Sequence, residues 1–495
     1  MKIAKYLKWH QWNAWFGGVG LLLFIISGVL HPVMSWTGPQ PVKMGPPPAQ
    51  FSAKDLTAMQ AVLKQLPNLK VLSVKIVPYN SQKLLQLTIQ DQAKRRYFDL
   101  ATQQELVDFE PSYAKWLAQH YTGLSLDQIK NTYLQTEFDQ SYPWVNRLLP
   151  VYKIDFADQA KTSVFIHTEL GALASITNTS KTRLQTVFQW LHTWSWLPDN
   201  NMIRFTMVLF MVSSVLSLCI TGAVLIFKFK RRQSTKLQQW HRYLAISVWV
   251  PLTCFALSGS YHLIYSQFTK PVTTLLPPPP LMLQQLAAQG ATSTATKFEP
   301  ITGPLLGITF INFDGPLYRL SVAAVDQSTD RAARFRGLTS EGPPRYINAL
   351  TGKIASVDEV ELAKHYAVLH VRRPKSDISA VKKVTSFGAD YDFRNKRLPV
   401  WQVSFDKSED KPSSSVFIDT ANGLLVDQQS QAGALEGLSF SMLHKYNFLI
   451  PFTGRFYRDV IMVAILAVAF ALTLLGAALL GIRQRRSQTP NGGQS

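Results

Sequence analysis

Four stretches of the chain are apolar without interruption: Ala14 to Leu30, Phe205 to Phe227, Leu244 to Tyr265 and Val460 to Ile482. Each is free of Lys, Arg, Asp and Glu, and each has the roughly 17 to 25 residues that a helix needs to cross the hydrocarbon core of a bilayer. The pattern predicts four transmembrane helices. Between them lie two long segments of a different kind. Ala53 to Leu66 has helical spacing, and Val71 to Val107 alternates apolar and polar positions as strands do. Hairpins are predicted over Ser163 to Ala174, turning at Gly171, and over Val416 to Asp427, turning at Asn422-Gly423, a dipeptide suited to the positive φ of a tight turn. A third strand-turn-strand is predicted around Tyr346 to Ile354 with Gly352 at the turn, and the proline runs 46–48 and 277–280 read as linkers.

Charge orients this arrangement. Lys2, Lys5 and Lys8 precede the first span, Lys228, Lys230, Arg231, Arg232, Lys236 and Arg242 separate the second from the third, and Arg483, Arg485 and Arg486 follow the fourth. Basic residues in short flanks stay on the cytoplasmic side during insertion, so both termini are expected there and the long segments on the opposite side. The net charge of +20 is then a topology signal and no case for nucleic acid. The basic, apolar N-terminus resembles a signal peptide but has no convincing small-residue cleavage site, and it reads as a retained anchor. Both cysteines, Cys219 and Cys254, fall inside spans, so the outer segments are expected to fold without disulfides.

The two halves share a pattern. Trp9-His10 is followed by Ser27-Gly28 and His31; 231 residues later, Trp240-His241 is followed by Ser258-Gly259 and His262. Leu149-Pro150-Val151 recurs as Leu398-Pro399-Val400, Ser163-Val164-Phe165-Ile166 as Ser415-Val416-Phe417-Ile418, and Leu191-His192 as Leu443-His444. Such recurrence predicts a tandem repeat in which each half is a span, an outer α+β domain, a His-bearing segment and a returning span. The expected fold is a membrane α-helical protein, a four-helix transmembrane bundle from two tandem repeats with two α+β outer domains. Its divisions are residues 1–35 (N-terminus and first span), 36–202 (first outer domain), 203–266 (second and third spans with the cytoplasmic loop 228–240), 267–455 (second outer domain) and 456–495 (fourth span and tail).

Six of the ten histidines lie at or near span boundaries, in three repeat-related pairs: His10 with His241, His31 with His262, and His192 with His444. Boundary histidines commonly just tolerate the interface, but three pairs kept between otherwise dissimilar halves mark a candidate site. A rise of about 1.5 Å per residue puts His10 and His31 roughly 31 Å apart, at opposite faces of the bilayer, and likewise His241 and His262. Imidazoles from facing helices can hold a haem iron inside a bundle, one haem near each face. Zinc fits less well, since Cys and carboxylate partners are missing around these histidines. His120, His167, His365 and His370 show no ligand pattern and read as packing or surface residues. No nucleotide fingerprint precedes a helix, so electrons are expected from a quinol or a separate reductase. No other catalytic residue is singled out.

The openings His10-Gln11-Trp12 and His241-Arg242-Tyr243, the Leu-His before the second and fourth spans, and the Ser-Val-Phe-Ile hairpins resemble the PepSY-associated transmembrane proteins, iron-regulated inner-membrane proteins of Gram-negative bacteria, of which one branch comprises di-haem ferric-siderophore reductases. The resemblance covers nearly the whole chain. It implies PepSY-like periplasmic domains, two b-type haems held by paired histidines, and one-electron reduction of Fe(III) in a siderophore to weakly held Fe(II). Where that family often has Gly, this chain has Ala14, Ala245, Thr193-Trp194 and Lys445-Tyr446. Trp36, Trp190, Trp194, Trp196, Tyr446 and Phe448 near the outer face are expected to wall a haem or form an interfacial belt. The rival expectation is a non-enzymatic binding or regulatory membrane protein, since PepSY domains also occur in protease-inhibitory propeptides; a transporter subunit is disfavoured by the lack of charged residues in the spans.

Overall fold

Four long helices answer to the four apolar stretches: α1 (Ile3–Thr37), α5 (Met202–Lys228), α6 (Lys236–Phe268) and α9 (Ile450–Gln488). The chain is described here by a computed structural model covering residues 3–198, 202–228, 235–269, 275–283, 297–324, 331–388, 390–407 and 414–488. Part of the loop 228–240 and most of the segment after Pro280 lie outside the described residues. All four helices are long and apolar enough to cross a membrane, and all extend beyond the apolar cores read from sequence. A helix does not end where its apolar face ends: Thr235 caps α6, its side chain accepting from the Gln238 backbone.

Two compact units share the chain. The first comprises Met1–Gly38, Ser180–Pro271 and Gly433–Ser495, the second Pro39–Thr179 and Val272–Ala432. In the first unit α1 packs on α5 and α9, and α6 packs on the same two helices. Ile25, Cys219, Leu252 and Ala469 meet in the shared core. Phe210, Ile220, Leu257 and Leu474 are exposed on the outside, as expected of helices whose outer surface faces lipid.

The second unit holds three sheets. In a nine-stranded sheet, the first half supplies β1 (Ala49–Gln50), β2 (Lys70–Tyr79), β3 (Gln82–Ile89) and β4 (Arg96–Asp99). The second half adds β9 (Leu281–Met282), β10 (Pro304–Asn312), β11 (Pro316–Val322), β12 (Arg345–Asn348) and β13 (Ile354–Ala355). The two segments read as separate domains are thus joined, with β10 antiparallel to β2 and Ile308 opposite Ile76. Helix α2 (Ala53–Gln65) buries Leu56, Met59 and Leu63 in the same core as Ile76, Leu85 and Ile308.

Each half also forms a four-stranded antiparallel meander behind a helix. After α3 (Glu110–Thr122) come β5 (Ile129–Gln135), β6 (Val151–Phe156), β7 (Ser163–His167) and β8 (Ala172–Thr177). After α7 (Glu359–Val371) come β14 (Ile378–Val384), β15 (Val400–Phe405), β16 (Ser414–Asp419) and β17 (Leu424–Ser430). The bulges correspond: one interrupts the register at Ile129/Asn131 and at Ile378/Ala380, another at Phe165/Ile166 and at Phe417/Ile418. The hairpins turn at Gly171 and at Asn422-Gly423, as the sequence pattern predicts. At Gly423 φ is +70°, and a Cβ there would come within 2.4 Å of the Tyr366 ring, so the turn needs glycine for both conformation and space.

Candidate functional site

Two short helices deliver the histidines that precede the returning spans. Helix α4 (Thr179–Phe188) passes into a π-helical turn over Gln189–Thr193, and α8 (Gln431–Ser439) into another over Phe440–His444. A π-turn widens the helix by one residue and recurs at functional sites. Here it carries His192 and His444. A left-handed residue follows in each half, Trp194 at φ 52° and Tyr446 at φ 50°.

His192 and His444 face one another. Their ring centres are 6.3 Å apart and their planes cross at 83°. The rings are held alike: Phe188 stacks on His192 at 4.9 Å and Phe440 on His444 at 4.7 Å, while Phe24 and Phe255 meet them edge-on at 5.5 and 5.7 Å. Ser27 hydroxyl and His192 Nδ1 share a hydrogen bond of 2.9 Å. On the other side, a Cβ added to Gly259 would lie 3.6 Å from His444 Cε1 and 3.8 Å from Nδ1, so that ring rests on a glycine. His444 Nδ1 is buried without a hydrogen bond. The Ser27-Gly28 and Ser258-Gly259 pairs singled out in the sequence therefore lie at these rings.

His31 and His262 flank the pair. His31 lies 6.1 Å from Phe188, and His262 stacks on the far face of the second clamp, 4.3 Å from Phe440. The equivalence then breaks. His262 Nδ1 is 2.5 Å from Glu436 Oε1, whereas the corresponding place in α4 holds Leu184, and His31 is exposed on its helix.

His10 on α1 and His241 on α6 are each packed against a glycine of a neighbouring helix. His10 Nδ1 bonds Thr221 Oγ1 at 3.0 Å. Its Cε1 would be 3.4 Å from a Cβ on Gly222, and the Cε1 of His241 would be 3.3 Å from one on Gly476. Each ring therefore lies with its Nδ1–Cε1 edge on a glycine of the returning span.

Three features of this site escape the histidine pattern. Gly222 and Gly476 end matching Leu-x-x-x-Gly runs, Leu218 to Gly222 and Leu472 to Gly476, spaced 254 residues apart. The same interval relates Arg204 to Arg458. Arg204 Nε donates to the Thr193 carbonyl at 2.7 Å and Arg458 Nη1 to the Lys445 carbonyl at 2.6 Å, each the residue after the histidine. A search for that interval would have found all four residues. Glu436, lacking a counterpart, left no such signal. Of the aromatics near this end, Trp194 is buried while Trp36, Trp190, Trp196 and Phe448 are exposed.

Among the described residues no group of three or more His, Cys, Asp or Glu side chains is placed to hold a metal ion; the histidines come in twos. His120, His365 and His370 lie in the second unit, where His120 bonds the Gly45 carbonyl and His370 that of Gly423. A family model described as the PepSY-associated TM region matches residues 7–337 of the chain. No curated protein matches it.

Proposed function

The chain belongs to the family of the PepSY-associated TM region, which covers more than half of it, and from that premise we propose a haem-containing reductase of the bacterial inner membrane that passes electrons to a periplasmic ferric-siderophore complex and releases Fe(II). The carrying observation is the spacing of His192 and His444. Two metal–nitrogen bonds of about 2 Å, each followed by about 1.1 Å from nitrogen to ring centre, would put two imidazoles that hold one iron roughly 6 Å apart. The observed 6.3 Å between centres fits a single iron between them. Haem bound there supplies one-electron Fe(III)/Fe(II) chemistry.

The chain's own residues do the rest. Ser27 and Thr221 bond the Nδ1 atoms of His192 and His10, which fixes ring orientation and would leave Nε2 to hold the iron. Phe188 and Phe440 hold the outer rings from one side, and Arg204 and Arg458 anchor the turns that carry them. His10 and His241 would hold a second, inner haem, with a quinol or a separate reductase as the source of electrons. His31 and His262, beside Phe188 and Phe440, would flank the outer haem. In this reading the halves are a tandem duplication, both termini are cytoplasmic, and the PepSY-like second unit is periplasmic.

The test is a visible spectrum of the detergent-purified protein. Soret and α bands with two haems per chain are expected, and under anaerobic conditions the reduced protein is expected to be reoxidised by a ferric siderophore as a ferrous chelator captures Fe(II). A fully folded, colourless protein would defeat the proposal in favour of a binding module.

A further inference from the structure

The second unit contains a cavity of about 170 Å³ whose wall includes Lys75, Glu169, Arg334, Glu341, Arg397 and Asp419. Every carboxylate of that wall is already engaged. Asp419 Oδ2 accepts from Arg397 Nη1 at 2.5 Å, Glu169 faces Arg95 at 3.4 Å and accepts from Asn422, and Glu341 is ion-paired with Arg319 at 2.8 Å. On the acidic side, Glu341 Oε1 is buried without a hydrogen bond although it is ion-paired; on the cationic side, more donors are left over. Among the described residues, Arg397 Nε and Nη2 and Arg334 Nε are buried without a hydrogen-bond partner.

The identity of the unpaired atoms matters. Nε and Nη2 form one edge of the guanidinium, the planar fork that matches both oxygens of a carboxylate or phosphate. Leaving buried N–H groups unmade is costly, so such a fork calls for an acceptor.

The other half of the chain shows that packing does not require this arginine. The 3₁₀ turns Trp144–Asn146 and Phe393–Asn395 end in left-handed Arg147 and Lys396, and the next residues are Leu148 and Arg397. At equivalent places the first half has a leucine with no exposure and the second an arginine only 5% exposed. The same local fold accepts an apolar side chain there; burying a cation instead carries a desolvation cost, which Asp419 offsets at Nη1 while the Nε/Nη2 edge stays unpaired.

We propose that this cavity binds a small oxyanion, a carboxylate or a phosphate, through the Nε/Nη2 edge of Arg397, with Arg334, whose Nε is also unpaired, on the same wall. The site is independent of the histidines. Titration calorimetry on the full-length protein in detergent tests it, with sodium succinate and sodium phosphate as probes and sodium chloride of equal ionic strength as the blank. Saturable heat with succinate alone, or with phosphate alone, identifies the headgroup. Arg397→Leu, the residue of the first half, is expected to weaken binding at least tenfold. Arg397→Lys keeps the charge but loses the fork, so it serves as a better-tolerated variant and is also expected to bind several-fold more weakly. Absence of saturable binding by both probes, or undiminished binding in whichever variant folds, overturns the proposal.

Discussion

His192 and His444 approach from two π-helical turns, one in each half of the chain, and their ring centres are 6.3 Å apart. If the two share one iron, removal of either has the same result. His192→Ala and His444→Ala are each expected to lose one haem of two, and the double variant no more than one. His10→Ala and His241→Ala are expected to lose the other. Pyridine haemochrome quantitation with protein determination checks this, and full haem content in any single variant removes that residue as a ligand.

The crossed planes of the two rings, at 83°, carry a spectroscopic expectation. Perpendicular imidazoles leave the d orbitals of a shared low-spin iron nearly degenerate, so if His192 and His444 hold one haem as proposed, the oxidised protein should give a strongly anisotropic low-spin signal. Electron paramagnetic resonance of wild type against His192→Ala reads it. A purely rhombic spectrum, typical of parallel imidazoles, would count against this geometry.

Space at the inner pair is set by Gly222 and Gly476, where an added Cβ would meet His10 at 3.4 Å and His241 at 3.3 Å. Alanine is expected to be nearly tolerated and valine to push the ring aside. Gly222→Val and Gly476→Val should lose the inner haem while the outer one keeps its spectrum; unchanged haem content in both would show that the close approach is not needed.

Arg458 is 6% exposed and forms a 2.9 Å ion pair with Asp459, itself 5% exposed, while also donating to the Lys445 carbonyl. Arg204 makes the equivalent carbonyl bond but is less buried. Removing one partner of a buried pair costs about 3–5 kcal/mol, against about 1–3 kcal/mol for charged hydrogen bonds alone. Arg458→Ala should therefore lower thermal stability more than Arg204→Ala, and restoring neutrality with Asp459→Asn should recover part of the loss.

In the second unit, burial beside Arg95, Arg397 and Lys75 holds the His167 pKa well below its ordinary 6.5. Above that pH the imidazole is neutral in both folded and unfolded chains. As pH falls below it, the unfolded chain takes up a proton that the folded one refuses, so stability is lost by up to about 1.4 kcal/mol per pH unit. Denaturation midpoints from pH 8 to pH 5 should fall less steeply in His167→Asn than in wild type. Identical slopes would assign the acid sensitivity to other groups.

What the sequence disclosed was mostly local. Four apolar stretches, the helix at Ala53 and the turns at Gly171 and Asn422-Gly423 are each written within a few neighbouring residues. The histidine pairs were legible because each recurs in the second half of the sequence, two of them at an interval of 231 residues and the third at 252. The contact of Thr309 with Lys75 across β10 and β2 is encoded in neither strand alone, since an alternating pattern does not name its partner. Glu436 beside His262 was hidden for the opposite reason: it breaks the repeat. The Arg204 and Arg458 contacts are with backbone carbonyls, which every residue type presents, so nothing in Thr193 or Lys445 announced them.

The pairing of β2 with β10 has a bearing on how the two halves came to depend on each other. Were the polypeptide divided between Lys228 and Lys236, each fragment would keep its meander but present a bare β edge where its sibling belongs, and unsatisfied edges seek company. Fragments made together should find each other and stay joined, while either one made alone should be prone to aggregate.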